Sequence, residues 1–349
     1  MTVNASRTAP PRPADGARRR VTRFGGLPVV LVALAVMCVL SIALGAKSIS
    51  PVTVVEAVIG TAPPGEAFVL WELRGPRTLL CLAVGAALGV AGMLVQALTR
   101  NPLADPGILG VNAGAALLVA VGVVFLGLDS IGEYRWLAIA GALLVTVLVY
   151  LIGSAGRGQI DPVRLTLAGV AVAAVLQGVI SALMLSDPRS FDTMRNWNAG
   201  TVASRELDIL WSVLPLLAVG MAVAAAASPA LNAIAMGDDV AVSLGVPVRV
   251  VRIAVVVAVT LLAGGATAAT GPLVFIGLMV PHIARVLAGP DQRWVFLYSL
   301  LIGPILVLAA DVLGRLVMRP GEIPVGIVTS FVGAPVLIAL IRRRRAVAS

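Results

Sequence analysis

The sequence predicts an all-α polytopic membrane protein with ten transmembrane helices, and three observations carry that prediction. The chain of 349 residues is 59% hydrophobic and only 12% charged, with mean hydropathy +1.01, whereas soluble domains carry about 25% charge. Apolar windows of spanning length recur along it, and roughly 20 helical residues at 1.5 Å each cross about 30 Å of hydrocarbon. Both ends are basic, with Arg18, Arg19, Arg20 and Arg23 near the start and Arg342, Arg343, Arg344 and Arg345 near the finish. Positive residues stay in the cytoplasm, so the number of spans must be even. Ten spans place 17 of the 26 basic residues inside but only 6 of the 17 acids. The net charge of +9 is thereby a topology signal, and with 4% aromatic residues it does not point to nucleic acid.

The elements follow in order. Residues 1–26 are rich in Pro, Ala and Arg and read as a basic disordered cytoplasmic tail; residues 27–345 form the transmembrane domain. The first apolar run, 27–45, is longer than the apolar stretch of a signal peptide and reads as span one. Residues 46–76 are mixed and carry Pro51, Pro63, Pro64 and three glutamates, which suits an extramembrane loop with a short helix near Pro51 to Gly60. Spans at 77–98 and 107–126 flank an elbow running from Arg100-Asn101-Pro102 to Pro106. Further spans are expected at 136–154, 165–185 and 209–227, with a longer polar stretch over 187–208. Residues 228–250 are broken by Pro229, Gly237, Gly245 and Pro247, too closely for a span, and suit two short surface helices. The last spans are expected at 251–270, 272–287, 294–316 and 324–341.

Two segments echo each other. Leu82 to Leu103 and Val257 to Leu278 are both apolar helices with a glycine cluster, broken at a proline and then re-entering. The first runs inward and the second outward, so the repeat is inverted, a device common in transporters.

The residues that carry chemistry are few. His282 is the only histidine, Lys47 the only lysine, and Cys38 and Cys81 both sit in apolar runs. With no CxxC pair and no His/Cys cluster, neither a metal site nor a cofactor is expected. No GxxxxGK[ST] pattern occurs, so ATP hydrolysis, if used, belongs to another subunit. Mid-span carboxylates are lacking, which argues against an ion-coupled secondary transporter. The absence of a catalytic cluster argues against a membrane enzyme. Asp311 and Arg315 lie one turn apart and suit an i,i+4 pair. Gln96 and Gln177 are the main mid-helix polar groups, and either an interhelical hydrogen bond or a place on a translocation path fits them.

Several motifs converge on one family. RGPR (74–77), GAALGVAGMLVQALTRNPLADPGILGVNAGA, LTLAGVAV (165–172), GDDVAVSLGV (237–246), GPLVFIGLMVPHIAR (271–285) and IPVGIVTSFVGAPVLIALI (323–341) together resemble the FecCD family. These are the permease subunits of ATP-binding-cassette importers for ferric siderophores, haem and cobalamin, and the siderophore-type members look most similar. The resemblance covers about residues 27–345 and leaves the basic tail aside.

The resemblance implies a type II ABC importer permease of ten spans in the plasma membrane with both termini cytoplasmic. It pairs with a second copy or a paralogue around a central path. Two ATPase subunits sit on the cytoplasmic side, and an extracytoplasmic substrate-binding lipoprotein docks outside. Short coupling helices between spans six and seven meet the ATPase, which assigns Gly237, Asp238, Asp239, Ala241, Leu244 and Gly245 to coupling. Arg74 and Arg77, with Arg315 as a third, are implied as docking contacts for the binding protein. Gln96, Asn101, Gln177 and Arg164 are candidates for the path, Arg164 through the inner entry to span five at Gly156 to Arg164. The chelate is expected to be an iron siderophore, with cobalamin or haem as alternatives.

Overall fold

The computed structural model describes residues 13–45, 50–154 and 162–348. Among these, every regular element is helical. The chain opens with α1 (Pro13–Ala43) and the short α2 (Pro51–Val58). Next, α3 (Pro64–Phe68) runs through a π-helical turn at Val69–Arg74 into α4 (Gly75–Thr99). A single 3-10 turn, Pro106–Leu109, leads to α5 (Val111–Leu126), followed by α6 (Ile131–Ser154), α7 (Pro162–Ser186) and α8 (Pro188–Asn198). The second half comprises α9 (Leu207–Ala235), the short α10 (Asp238–Ser243), α11 (Val248–Thr270), α12 (Ile276–Ala288), α13 (Gln292–Val317) and α14 (Val325–Ala348).

Each expected span falls on one of these helices. Among the described residues seven helices are long and apolar enough to cross a membrane, while Val111–Leu126, Ile276–Ala288 and Val325–Ile338 are shorter apolar helices. Helix α4 is the axis of the bundle, flanked by α9, α11, α12 and α13. Its most apolar window is 78% buried, against 11% for α1 and 17% for α7, which lie at the periphery.

Lipid is as apolar as leucine, so helices in a membrane associate through close packing rather than through escape from water. The glycines of α4 provide it. Gly85 lies against Gly303 and Pro304 of α13, Gly89 against Ser299 of α13 and Val280 of α12, and Gly92 against Gly277 of α12. A methyl group at Gly92 would overlap the Gly277 carbonyl. Gly114 and Gly141 bring α5 and α6 together in the same way.

The echoed segments occupy corresponding places. After α4 the backbone turns at Arg100, whose φ is +49°, and re-enters through the 3-10 turn into α5. After α11 it turns at Gly271 and re-enters at Phe275 into α12. Gly277 at the start of α12 packs on Asp105 and Pro106 of the first elbow, so the two interruptions meet. Gly264 of α11 sits beside Ala142 and Val111 at the start of α5, as Gly92 of α4 sits beside the start of α12.

Four stretches differ from the sequence expectation. Residues 13–26 of the expected tail lie in α1, and 1–12 fall outside the described residues. The expected loop 46–76 holds α2 as anticipated, but from Pro64 onward it is helical and continuous with α4. The polar stretch after α7 forms α8, whose start is capped by the Asp187 carboxylate accepting from Ser190 N at 2.9 Å. That backbone donor, with the Ser190 hydroxyl, holds the Asp187 carboxyl below the ordinary carboxylate value. The expected pair of surface helices over 228–250 is a single one, α10, because α9 continues through Pro229 to Ala235. Proline removes one hydrogen bond, but here Ala227, Ser228, Leu231 and Ile234 are all buried on the bundle and hold the turn in line.

Candidate functional site

Polar groups gather at the two ends of the bundle, and each set is built by helix termini. At one end α1 finishes with its last carbonyls unpaired, as every helix does. Two arginines from other helices satisfy them. Arg74 Nη1 donates to Ile42 O at 2.7 Å and to Ala43 O at 2.9 Å; Arg315 Nη1 donates to Ser41 O at 2.9 Å and to Leu44 O at 2.8 Å. Cations are favoured at this pole of the helix dipole as well. Asp311 then lies between two guanidinium groups. Arg77 donates through Nε at 2.9 Å and Nη2 at 2.6 Å, and the expected i,i+4 pair with Arg315 closes at 2.7 Å. Arg77 also reaches Glu322 at 2.7 Å. Asp311 is 0% exposed and Arg315 3%, so this is an interior network. A cavity of about 530 Å³ opens beside it, lined in part by Glu72, Arg74, Arg77, Arg205, Arg315 and Glu322. Burial lowers the pKa of Arg205, on the loop before α9.

At the opposite end stand the exit of α4, the end of α9, α10 and the start of α11. Arg100 Nη2 donates to Ile234 O at 2.7 Å and to Asp238 Oδ1 at 2.5 Å. Arg252 Nη2 donates to both carboxylate oxygens of Asp238, at 3.1 and 2.8 Å. Asn232 near the end of α9 donates to Asp291 at 3.0 Å and accepts from Gln292 N, which ties this end to the start of α13. Of the residues assigned to coupling, Ala241 is buried, Gly237 and Asp238 are half-buried, and Asp239, Leu244 and Gly245 are exposed. Met236, Val240, Val242 and Leu244 present an exposed apolar patch on and around α10.

The four path candidates are not brought together. Gln96 is buried; its Nε2 donates to Ala104 O at 3.1 Å and to Gly277 O and Leu278 O at 3.3 Å, and its Oε1 accepts from Arg285. It thus binds the two interruptions to each other. Gln177 lies on an exposed face of α7, where a methyl on the adjacent Gly178 would meet nothing within 4 Å. Asn101 caps the elbow, accepting from Leu103 N at 3.0 Å. Arg164 is exposed at the start of α7, and most of the expected inner entry at Gly156 to Arg164 lies outside the described residues. Glu322, Arg100 and Arg252, which complete the two polar ends, were missed by sequence reasoning, because nothing in their spacing announces partners more than a hundred residues away or across a loop. Among the described residues no group of three or more His, Cys, Asp or Glu is placed to hold a metal ion.

A bundle of apolar helices with paired interruptions, glycine-lined contacts and polar clusters at its two ends defines a multi-pass membrane protein. The chain belongs to the FecCD transport family, whose sequence profile matches residues 33–343. It is similar to the ferric enterobactin transport system permease protein FepD of Escherichia coli, at 46% identity over 93% of this chain and 97% of that protein. It is 36% identical to the probable siderophore transport system permease protein YfiZ of Bacillus subtilis, over 90% of this chain and 94% of that protein. The hemin transport system permease protein HmuU of Yersinia pestis is 33% identical over 91% and 96%. A solved structure described as an inward-facing conformation of a metal-chelate type ABC transporter shares the fold, with TM-score 0.79 over 92% of this chain and 98% of that one, at 24% identity.

Proposed function

We propose that this chain is the permease subunit of an ATP-binding-cassette importer that carries an iron-siderophore chelate across the plasma membrane. The carrying observation is the patch at α10. A short helix outside every candidate span exposes Met236, Val240, Val242 and Leu244 beside Asp239. Such a patch, ringed by polar groups, is a surface waiting for a protein partner. The chain carries no nucleotide-binding motif of its own, so the partner suited to this surface is a separate ATPase subunit. In this reading ten spans, the three shorter helices included, cross the membrane. Both termini and α10 lie in the cytoplasm, and the arginine network lies outside.

ATP binding draws two ATPase subunits together, and α10 passes that motion to the helices. The permease works with a second copy or a paralogue, for which the exposed face of α7 around Gln177 and Gly178 is suited. An extracytoplasmic binding protein delivers the chelate at the end bearing Arg74, Arg77 and Arg315. Those three guanidinium groups already hold partners within the chain, Arg74 the carbonyls of Ile42 and Ala43 and the other two Asp311 and Glu322, so a docking carboxylate competes with these groups rather than meeting bare cations. Iron siderophore is favoured over haem because the FepD likeness is 46% and the HmuU likeness 33% over nearly the same length.

The test is ATP-driven uptake of radio-iron-loaded siderophores, one catecholate and one hydroxamate, into vesicles holding the permease, its ATPase and its binding protein. Leu244→Asp places a charge in the exposed apolar patch without touching the core. It is expected to release the ATPase subunit in pull-down and to abolish uptake while the permease remains folded. Uptake that survives loss of the ATPase subunit would sink the proposal.

A further inference from the structure

The polar cluster at the α10 end has a mechanical meaning. Two glycines flank α10: Gly237 with φ +123° and Gly245 with φ +78°, both in backbone regions that side chains rarely enter. Beyond its chain neighbours neither has an atom within 4 Å of where a Cβ would stand, so side-chain packing does not stiffen these joints, which are held by single backbone bonds such as Gly237 N to Ile234 O and Gly245 N to Val242 O. A six-residue helix between two such joints would swing when pushed. Besides those backbone bonds, two anchors oppose this. Ala241 is buried on the inward face, and Asp238 is held by two arginines.

The arginines come from different helices. Arg100 extends from the turn that ends α4, and Arg252 from the first turn and a half of α11. Arg100 also donates to Ile234 O in the last turn of α9. One carboxylate therefore ties α10 to the ends of the two most deeply buried spans of the bundle, α4 and α11, while Arg100 ties it to α9. Both α4 and α11 are followed by an interruption and a re-entering helix, so they are the helices whose displacement would alter the interior. Charge-assisted bonds of this kind are about twice as strong as neutral ones. Arg252 is 6% exposed and Asp238 24%, which limits screening by water.

We infer that Asp238 is a positioning residue for energy coupling: clamped by Arg100 and Arg252, it converts a push on α10 into joint movement of α4 and α11 instead of rotation at the glycine joints. The inference rests on the proposed importer function. It differs from the contact role of the exposed residues, because Asp238 faces the transmembrane body and not the partner.

The experiment measures chelate imported per ATP hydrolysed by the assembled importer in proteoliposomes, using radio-iron-loaded siderophore. Two variants remove the clamp from opposite sides: Asp238→Asn, and Arg100→Gln, the latter at a side chain 42% exposed and therefore tolerant of substitution. Both are expected to keep ATPase association and hydrolysis near the wild-type rate while the ratio of chelate to ATP falls about tenfold, the scale of one lost charge-assisted bond. Asp238→Glu, which keeps the charge, is expected to recover most of the ratio. An unchanged ratio in both variants overturns the inference. So does a proportional fall of uptake and hydrolysis in both, which would assign the cluster to assembly alone. A wild-type complex without ATP-driven uptake would instead refute the functional reading itself.

Discussion

Asp311 is the residue on which one end of the bundle depends. It accepts from Arg77 and Arg315 while wholly buried, and those arginines in turn reach Glu322 and the last carbonyls of α1. A buried pair contributes little net stability against an apolar substitute, but removing one member leaves an uncompensated charge and costs about 3–5 kcal/mol. Asp311→Asn takes the shared buried carboxylate from two guanidinium groups at once, leaving Arg77 with Glu322 and Arg315 with the end of α1. It is expected to lower the thermal inactivation temperature of the detergent-solubilised protein and its yield in the membrane. Glu322→Gln, at a half-buried acid serving Arg77 alone, is expected to do so far less. The i,i+4 spacing of Asp311 and Arg315 was legible in the sequence, since it needs only helical geometry. The role of Arg77 was not: its partner lies 234 residues away, and the RGPR motif resembled a surface feature.

At the scale of the helix, backbone approach decides what a side chain may be. Gly92 and Gly178 are both helical glycines in apolar helices, yet they stand in opposite surroundings. Gly92→Ala drives a methyl group into the backbone of α12 at Gly277, and overpacking of this kind costs about 1–3 kcal/mol. Gly178→Ala meets no atom of its own chain within 4 Å and removes freedom from the unfolded chain, so in the separated subunit it is expected to be neutral or stabilising by about 0.4–1 kcal/mol. Paired thermal scans of the two variants check the contrast. The spans themselves were readable, because twenty apolar residues have few other uses. The glycine stripe of α4 was readable too, from its spacing at 85, 89 and 92. Helix α8 was missed although its signals are present: Asp187-Pro188 at the start, then Phe191, Met194 and Trp197 at helical intervals, of which Met194 and Trp197 are buried. High polarity masked a short amphipathic helix. The continuation of α9 through Pro229 had no local signal at all, because burial against neighbouring helices is what overrides the proline.

For the whole molecule, charge bookkeeping assigns the arginine network and α10 to opposite sides of the membrane. Single cysteines test this directly. Arg189→Cys, exposed at the start of α8, is expected to react with a membrane-impermeant maleimide added to intact cells. Asp239→Cys on α10 is expected to react only after the membrane is opened. The native Cys81 is fully buried and Cys38 lies within α1, so neither is positioned to compete for the reagent. Equal labelling at both sites in intact cells would overturn the assigned orientation. The fold was legible at this scale because apolar runs of spanning length and basic residues at both ends each leave a mark in the sequence, whereas the meeting of the two interruptions, Gly277 on Asp105 and Pro106, needed the structure.

The capping of α1 also bears on how the protein is made. Helix α1 is made before α13, and the carbonyls of Ser41 and Leu44 find their donor only at Arg315, more than 270 residues later. Until then Arg74 and Thr78 supply its polar tethers, and packing adds little, since only 11% of its apolar window is buried in the finished bundle. Loose closure over so long a sequence separation is slow and leaves partly assembled chains exposed. The α1 end is therefore expected to be completed in two stages, an early one held by Arg74 and Thr78 and a late one that waits for Arg315 of α13.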